Sequence, residues 1–422
     1  MDRDGQYHIN SGVLSPTQIP NLQQKLDDLL PYSLPVTRRI EYHLGHPISP
    51  TARIFVAAAA VPADGDDDGD VQINGDHVHS NQPLPLPGTS SHPPDERWLE
   101  SWLLSNTSSS SAASRPWLAA HIDLINYGQT QVWLFASWEV PSLFRNDSDT
   151  VTGGGGLYKS LMHELFNYIH TVLVPTMPLE PSDEWLDLKR TGKTLTTPYS
   201  RSKILFGTVG EKLWELFPPQ ARARTDPGYL KYVFSPAKEN ENVDEAKAEA
   251  SLAKARLAAT AADNDNDNTS LLLLPAEYKF GEMRSSDLQI VLDRSTIPRT
   301  LSTLRQYVSV AIFSRDDDTD PRPVAWGFLG KDASLSSLHT EPAHRGKGLA
   351  VCLARELLQR QTRAFQEDKR GMGWAHADVS QDNIPSRRVM EKLGGRPMWM
   401  VMWTEVDLEK VCRSSDEEDE VK

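Results

Sequence analysis

The sequence predicts an α/β protein in two halves. Three observations carry that expectation. Strand-like and helical apolar patterns alternate on both sides of the chain's middle, the stretch 236–270 has the composition of a linker, and 422 residues exceed the roughly 100–200 of an ordinary domain. The linker, PAKENENVDEAKAEASLAKARLAATAADNDNDNTS, passes from Ala, Lys and Glu into Asp and Asn and offers little to bury. It separates a first domain, 1–235, from a second, 271–410, which an acidic tail follows at 411–422.

In the first half, 52–61 and 119–126 read as strands, and 130–139 completes a hairpin through Tyr127-Gly128-Gln129. Apolar residues every three to four positions from Leu157 to Leu173 predict a helix with one buried face. A strand at 203–209 and an aromatic helix around Trp214 follow. The stretches 63–96, 105–114 and 145–156 are rich in Asp, Ser, Gly or Pro and read as disordered insertions. The second half runs strand 277–283, helix 285–294, strand 307–314, an Asp-rich turn at 316–323 and strand 324–330. Then come strand 335–340, a helix over 348–365 with Ala350, Leu353, Ala354, Leu357 and Leu358 on one face, strand 374–379, helix 386–393 and strand 398–406. That order predicts α/β with a mixed sheet.

Composition excludes several classes of function. With 44 basic and 58 acidic side chains the net charge is −14, which is not the footprint of a nucleic-acid binder. The longest apolar stretch, 54–62, falls far short of the ~20 residues that span a bilayer. The opening MDRDGQYHIN lacks the basic start and apolar run of a secretory signal. Cys352 and Cys412 are the only cysteines, so a disulfide framework is excluded and a reducing compartment, cytoplasmic or nuclear, is expected. Asp64 to Gly69 begins like a calcium loop, but its twelfth position is Gly75, and His77 and His79 lie in a Pro/Ser-rich segment. No metal site is expected.

Chemistry concentrates in LSSLHTEPAHRGKGLAVCLARELL, residues 335–358. A strand ends at Thr340, a loop containing Pro342 turns the chain, and Arg345-Gly346-Lys347-Gly348-Leu349-Ala350 opens a helix. The first amides of a helix lack intrahelical partners and the helix dipole adds positive potential, so this loop suits a pyrophosphate. Gly346 and Gly348 allow close approach to the main chain, and Arg345 and Lys347 add charge at the rim.

The run T-x-P-x-x-R-G-x-G-x-A resembles the acyl-CoA pyrophosphate loop of the GNAT superfamily of N-acyltransferases, [Q/R]-x-x-G-x-[G/A], with Arg345, Gly348 and Ala350 at its defining positions. Further on, Asn383-Ile384-Pro385-Ser386 and Glu391-Lys392-Leu393-Gly394 are similar to the superfamily's second signature, an N-x-x-S turn and a helix ending in KLG. The resemblance covers about residues 276–406. Pro323-Val324-Ala325-Trp326 is similar to a pattern of the glycine N-acyltransferase-like branch, in which a degenerate half of the same fold precedes the catalytic one. The resemblance therefore implies a C-terminal GNAT fold, a mixed and splayed sheet flanked by helices, behind a degenerate α/β GNAT-like domain.

For the chemistry, the resemblance implies direct attack of a primary amine on the thioester of acetyl-CoA or another acyl-CoA. The pantetheine arm would lie between strands 335–340 and 374–379. Main-chain groups of Leu338, His339 and Thr340 would bond it, Gly346 to Ala350 would hold the pyrophosphate, and Asn383 and Ser386 would meet the far side. Relatives place a Glu base eleven residues before Arg345, where this chain has Ser334. Asp332 through a water, or His339, are the alternatives as base. The position of the thiolate-protonating Tyr is Met390, leaving water as the acid. The expected acceptor is a small amine or amino acid, in a pocket built near 284–300 and by the N-terminal half. A protein lysine as acceptor and a non-catalytic acyl-CoA-binding role are the rivals.

Overall fold

The computed structural model describes residues 7–60, 96–105, 115–143, 155–236 and 274–412, apart from breaks at 48, 126–128, 191–197, 227, 296, 298, 316–321 and 366–372. The expected insertions, the linker 236–270, the tail, the Asp64–His79 segment and most of the two expected turns lie, all but their ends, outside the described residues.

The first half contains β1 (Ile9–Val13), α1 (Ile19–Asp27), α2 (Leu34–Gly45), β2 (Arg53–Ala59), α3 (Glu96–Leu104), β3 (Trp117–Ile122), β4 (Val132–Ala136), α4 (Gly155–Tyr168), α5 (Asp183–Arg190), β5 (Lys203–Gly210), α6 (Glu211–Trp214), β6 (Arg222–Thr225) and β7 (Tyr229–Phe234). Pro20 and Pro35 open α1 and α2, where a missing N–H has no intrahelical bond to lose. The helix expected around Trp214 is a single turn.

The second half repeats the order: β8 (Tyr278–Gly281), α7 (Leu288–Arg294), α8 (Leu301–Leu304), β9 (Val308–Ser314), β10 (Pro323–Leu329), β11 (Leu335–Thr340), α9 (Leu349–Phe365), β12 (Ala375–Ser380), α10 (Ile384–Lys392) and β13 (Arg396–Asp407). In each half an antiparallel set is followed by a parallel step across a long helix, from β4 to β5 and from β11 to β12.

All strands join one sheet in the order β1-β2-β3-β4-β5-β13-β7-β12-β11-β10-β9-β8, with β6 also on β13. The halves exchange their last strands. β7 runs antiparallel to β12, with Tyr229 to Phe234 opposite Ser380 to Ala375. β13, from the second half, pairs with β5 on one edge and with β7 on the other, so that Val401 lies opposite both Gly210 and Tyr229.

The helices cover both faces. Leu161, Leu165 and Phe166 of α4 pack with Phe55, Leu118, Val132 and Phe206, while α1 to α3 meet Ile54, Val56, Trp117 and Phe135. Leu353, Ala354 and Leu357 of α9 pack on Val310, Ile312, Ala325 and Ala377, and Tyr232 and Phe234 of the exchanged β7 complete that core. Each such buried large apolar side chain contributes about 1.5–3 kcal/mol. Trp326 and Phe328 take α7 and α8 on the opposite face.

Candidate active site

β11 is the centre of the site because its two edges differ. Its β10 edge is paired from Leu335 to Thr340, whereas its β12 edge is paired only at Leu335 opposite Ala377. The two strands then part, leaving the β12-facing edge of Ser336 to Thr340 without a strand partner. Along the β10 edge the register shifts: Phe328 faces Ser336 and Trp326 faces His339, so Ser337 and Leu338 together oppose Gly327. Ser337 takes φ +51°, a conformation an L side chain adopts only under local constraint. This bulge re-aims the backbone midway along the open edge. Ser337 Oγ, His339 Nε2 and Thr340 Oγ1 are all buried and unpartnered among the described residues.

The strand runs into a turn, Pro342–His344, and then into Arg345-Gly346-Lys347-Gly348 ahead of α9. Gly346 and Gly348 have φ +79° and +78°, and a Cβ at Gly346 would meet nothing within 4 Å. The N–H groups of residues 346–350 donate to no described group, as expected at a helix start. Arg345 Nε donates to Thr340 O at 3.0 Å, tying the loop to the end of β11. Lys347 Nζ donates to Tyr278 Oη at 2.9 Å, and that hydroxyl lies 2.9 Å from His344 Nδ1. These residues fit a pyrophosphate: unpaired amides, two fixed cations and open space at the glycine. Asn383 caps α10, its Oδ1 accepting from Ser386 N at 3.1 Å. Met390 is buried in the α9 core.

His339, half-buried, stacks on Trp326 with ring centroids 4.6 Å apart. Its Nε2 lies 3.9 Å from Glu341 Oε1, which accepts from Arg294 Nε at 3.0 Å. Burial lowers the imidazole's pKa; Glu341 opposes this, and Arg345 and Arg294 add to it. Neutral pH therefore leaves the ring unprotonated. Asp332 and Ser334 are brought together: Ser334 Oγ donates to Asp332 Oδ1 at 2.7 Å across a tight turn in which Ala333 takes φ +56°. Burial pushes the Asp332 carboxyl up, but His376, Lys231 and the two Ser334 hydrogen bonds outweigh it, and the net shift is downward.

Behind that turn lies a buried polar group that no sequence pattern announced. Lys231 of β7 reaches Thr208 Oγ1 at 2.5 Å, Asp378 at 2.7 Å and His376 Nδ1 at 3.3 Å. His376 Nε2 is 2.8 Å from Asp332 O. The exchanged strand is thus connected, through β12, to the residues that start β11.

The first half has the same parallel step without the same opening. β4 meets β5 only at Val132–Phe206 and Trp133–Gly207, but the Ala136 N–H beyond the step donates to Glu139 Oε2 at 3.0 Å. Glu139 Oε1 also packs against Gly210, so a Cβ there would displace the carboxylate. Burial pushes the Glu139 pKa up to about 8. Trp138 stacks on Tyr158 alongside.

The fold is a doubled α/β unit whose sheet splays beside a glycine loop at a helix start. Residues 7–232, more than half of the chain, match the family model described as the acyl-CoA N-acyltransferase verG N-terminal domain, and residues 312–404 match that of FR47-like protein. The chain belongs to the verG-type acyl-CoA N-acyltransferases. Acyl-CoA is its co-substrate. No curated protein matches the chain. Among solved structures, a Drosophila protein shares 12% identity over 94% of this chain and 99% of its own, with a TM-score of 0.47. A tandem GNAT protein from the clavulanic acid biosynthesis pathway shares 11% over 94% and 98%, at 0.38. A GCN5-related N-acetyltransferase from Sphaerobacter thermophilus shares 12% over 75% and 87%, at 0.35. Among the described residues no helix is long and apolar enough to cross a membrane, and no cluster of three His, Cys, Asp or Glu side chains could hold a metal ion.

Proposed function

We propose that this protein transfers an acetyl or other short acyl group from CoA to the primary amine of a small molecule, with residues 271–410 binding the donor and residues 1–235 completing the acceptor side. The observation that supports this best is the open edge of β11, bulged at Ser337, which leads directly into the five unpartnered amides at 346–350. An extended pantetheine arm adds to such an edge through main-chain hydrogen bonds at Leu338, His339 and Thr340. Its pyrophosphate meets the amides of Gly346 to Ala350, with Arg345 and Lys347 at the rim and Asn383 and Ser386 across the gap.

The amine nitrogen attacks the thioester carbonyl, a C–N bond forms as the C–S bond breaks, and a backbone N–H at the bulge stabilises the oxyanion. His339 Nε2, neutral and unpartnered, takes the amine proton. Asp332 serves the turn through Ser334 and is the weaker base, because its charged form is already stabilised. Water protonates the departing thiolate, since Met390 carries no proton to give. A chain with only two cysteines, Cys352 and Cys412, suits a reducing, cytoplasmic setting. Amine-dependent release of CoA thiol from acetyl-CoA tests the reading. Tight binding of acetyl-CoA with no thiol release across a panel of amines would overturn it in favour of a binding protein.

A further inference from the structure

On the sheet face that α2, α7 and α8 cover, the two halves meet beside β11, and cations from both gather there. Arg299, in the segment between α7 and α8, donates through Nη2 to Ser336 Oγ at 2.9 Å. Through Nη1 it reaches Gln129 Oε1 of the first half at 3.2 Å and Tyr307 Oη at 3.4 Å. All three partners are neutral, and no described carboxylate lies within ion-pair distance of this guanidinium. Its Nε is buried without a partner.

Arg39 of α2 approaches from the other half. It is 3% exposed, sits 4.9 Å from the Trp133 ring and 5.2 Å from the Tyr42 ring, and faces Asp123 Oδ2 only at 3.8 Å. Its Nε is also buried and unpartnered. Lys331 lies 5.9 Å from the same Tyr42 ring. The acids of this seam are engaged: Asp123 accepts from Ser49 and Thr51, Asp332 from Ser334, and Glu184 from Ser302. Buried donors are rarely left unsatisfied, and a buried guanidinium prefers an anionic oxygen.

We infer that the acceptor amine carries a carboxylate, and that the seam receives it, with Arg299 as counter-ion and Arg39 behind. Ser336, to which Arg299 is bound, precedes the bulge and stands two to three residues, roughly 7–10 Å at strand rise, from the edge at Leu338 and His339. A carboxylate held there leaves the amine of an amino acid to point along β11 towards the thioester. The first half is then part of the acceptor site through Arg39 and Gln129. This inference rests on the acyltransferase reading and narrows its substrate class.

The test compares matched amines with and without a carboxylate, glycine against methylamine and γ-aminobutyrate against butylamine, with acetyl-CoA as donor and CoA thiol release as readout. In the wild-type protein, kcat/KM for the carboxylate member of at least one pair should be ten times or more that of its neutral partner. Arg299→Met should raise KM for that carboxylate amine at least tenfold more than it raises KM for the neutral partner, with acetyl-CoA still bound. Arg299→Lys should restore part of the loss, because it returns the charge without the planar fork. Equal activity on both members of each pair, or equal loss on both in Arg299→Met with acetyl-CoA binding intact, overturns the inference and leaves the acyltransferase reading standing. Thiol release that no amine accelerates above the rate without amine overturns both.

Discussion

Replacing Lys231 by Met tests whether the exchange of strands holds the two halves together. The Lys231 side chain is 1% exposed and its partner Asp378 is 8% exposed. The substitution keeps the length of the side chain and its packing but removes the ammonium, leaving the Asp378 carboxylate buried between β7 and β12 without its cation. Breaking one side of a buried pair costs about 3–5 kcal/mol, because the remaining charge is desolvated and uncompensated. Loss of the bonds to Thr208 and His376 acts in the same direction. Urea unfolding of the full chain, followed by circular dichroism, should show a drop of that size at unchanged m-value. The double variant Lys231→Met with Asp378→Leu should recover most of it, since an apolar pair carries no desolvation penalty. A loss below about 1 kcal/mol in the single variant, or no recovery in the double, would refute the reasoning.

Gly348→Asp places a side chain at φ +78° and a negative charge at the loop, and should weaken acetyl-CoA binding at least tenfold by calorimetry, or about 1.4 kcal/mol; an unchanged Kd in a folded variant contradicts the loop assignment. His339→Ala should lower kcat by about 10²–10⁴ at similar acyl-CoA affinity. The rising limb of the wild-type pH profile should lie below the ordinary imidazole range, because burial lowers that pKa, and a limb that persists in the variant removes His339 as base. Titration with acetyl-CoA should give one site per chain, because Glu139 already takes the Ala136 N–H at the first half's step; two sites would refute this. Glu139 has its pKa raised in the folded state from 4.5 to about 8, so its contribution to stability is present at low pH and lost as pH climbs from about 4.5 through 8. Thermal midpoints between pH 6 and 9 should fall less steeply in Glu139→Gln than in the wild type, and equal slopes would discount the shift.

The loop was legible because its chemistry is local. Two glycines between a strand and a helix, with basic neighbours, state a backbone requirement that no distant residue alters, and both glycines have positive φ. The alternation of strands and helices was readable for the same reason. What the sequence concealed is non-local. YLKYVF at 229–234 is not among the strands the sequence predicts, and no local rule says that it belongs beside β12 or that MWMVMWTEV continues the sheet of the other half. The bulge was equally silent: LSSLHT reads as ordinary alternation, and Ser337 acquires its φ from the mismatch with β10. Arg299 carried no motif, because its meaning comes from Gln129 and Ser336, 170 and 37 residues away.

The exchange of β7 and β13 also sets the order in which this chain can be made. On the ribosome, β5 and β7 emerge long before β13, so the sheet of the first half stays open at β5 until residues 396–407 have left the exit tunnel. For most of that interval β7 has neither of its eventual neighbours, since β12 emerges only shortly before β13. An unpaired apolar edge of this kind invites pairing with another chain. The protein therefore depends on late, long-range closure, a feature of slow folders. Loss of the 396–407 segment would leave β5 and β7 each short of a neighbour, so a fault near the end of synthesis is felt in the half that was made first.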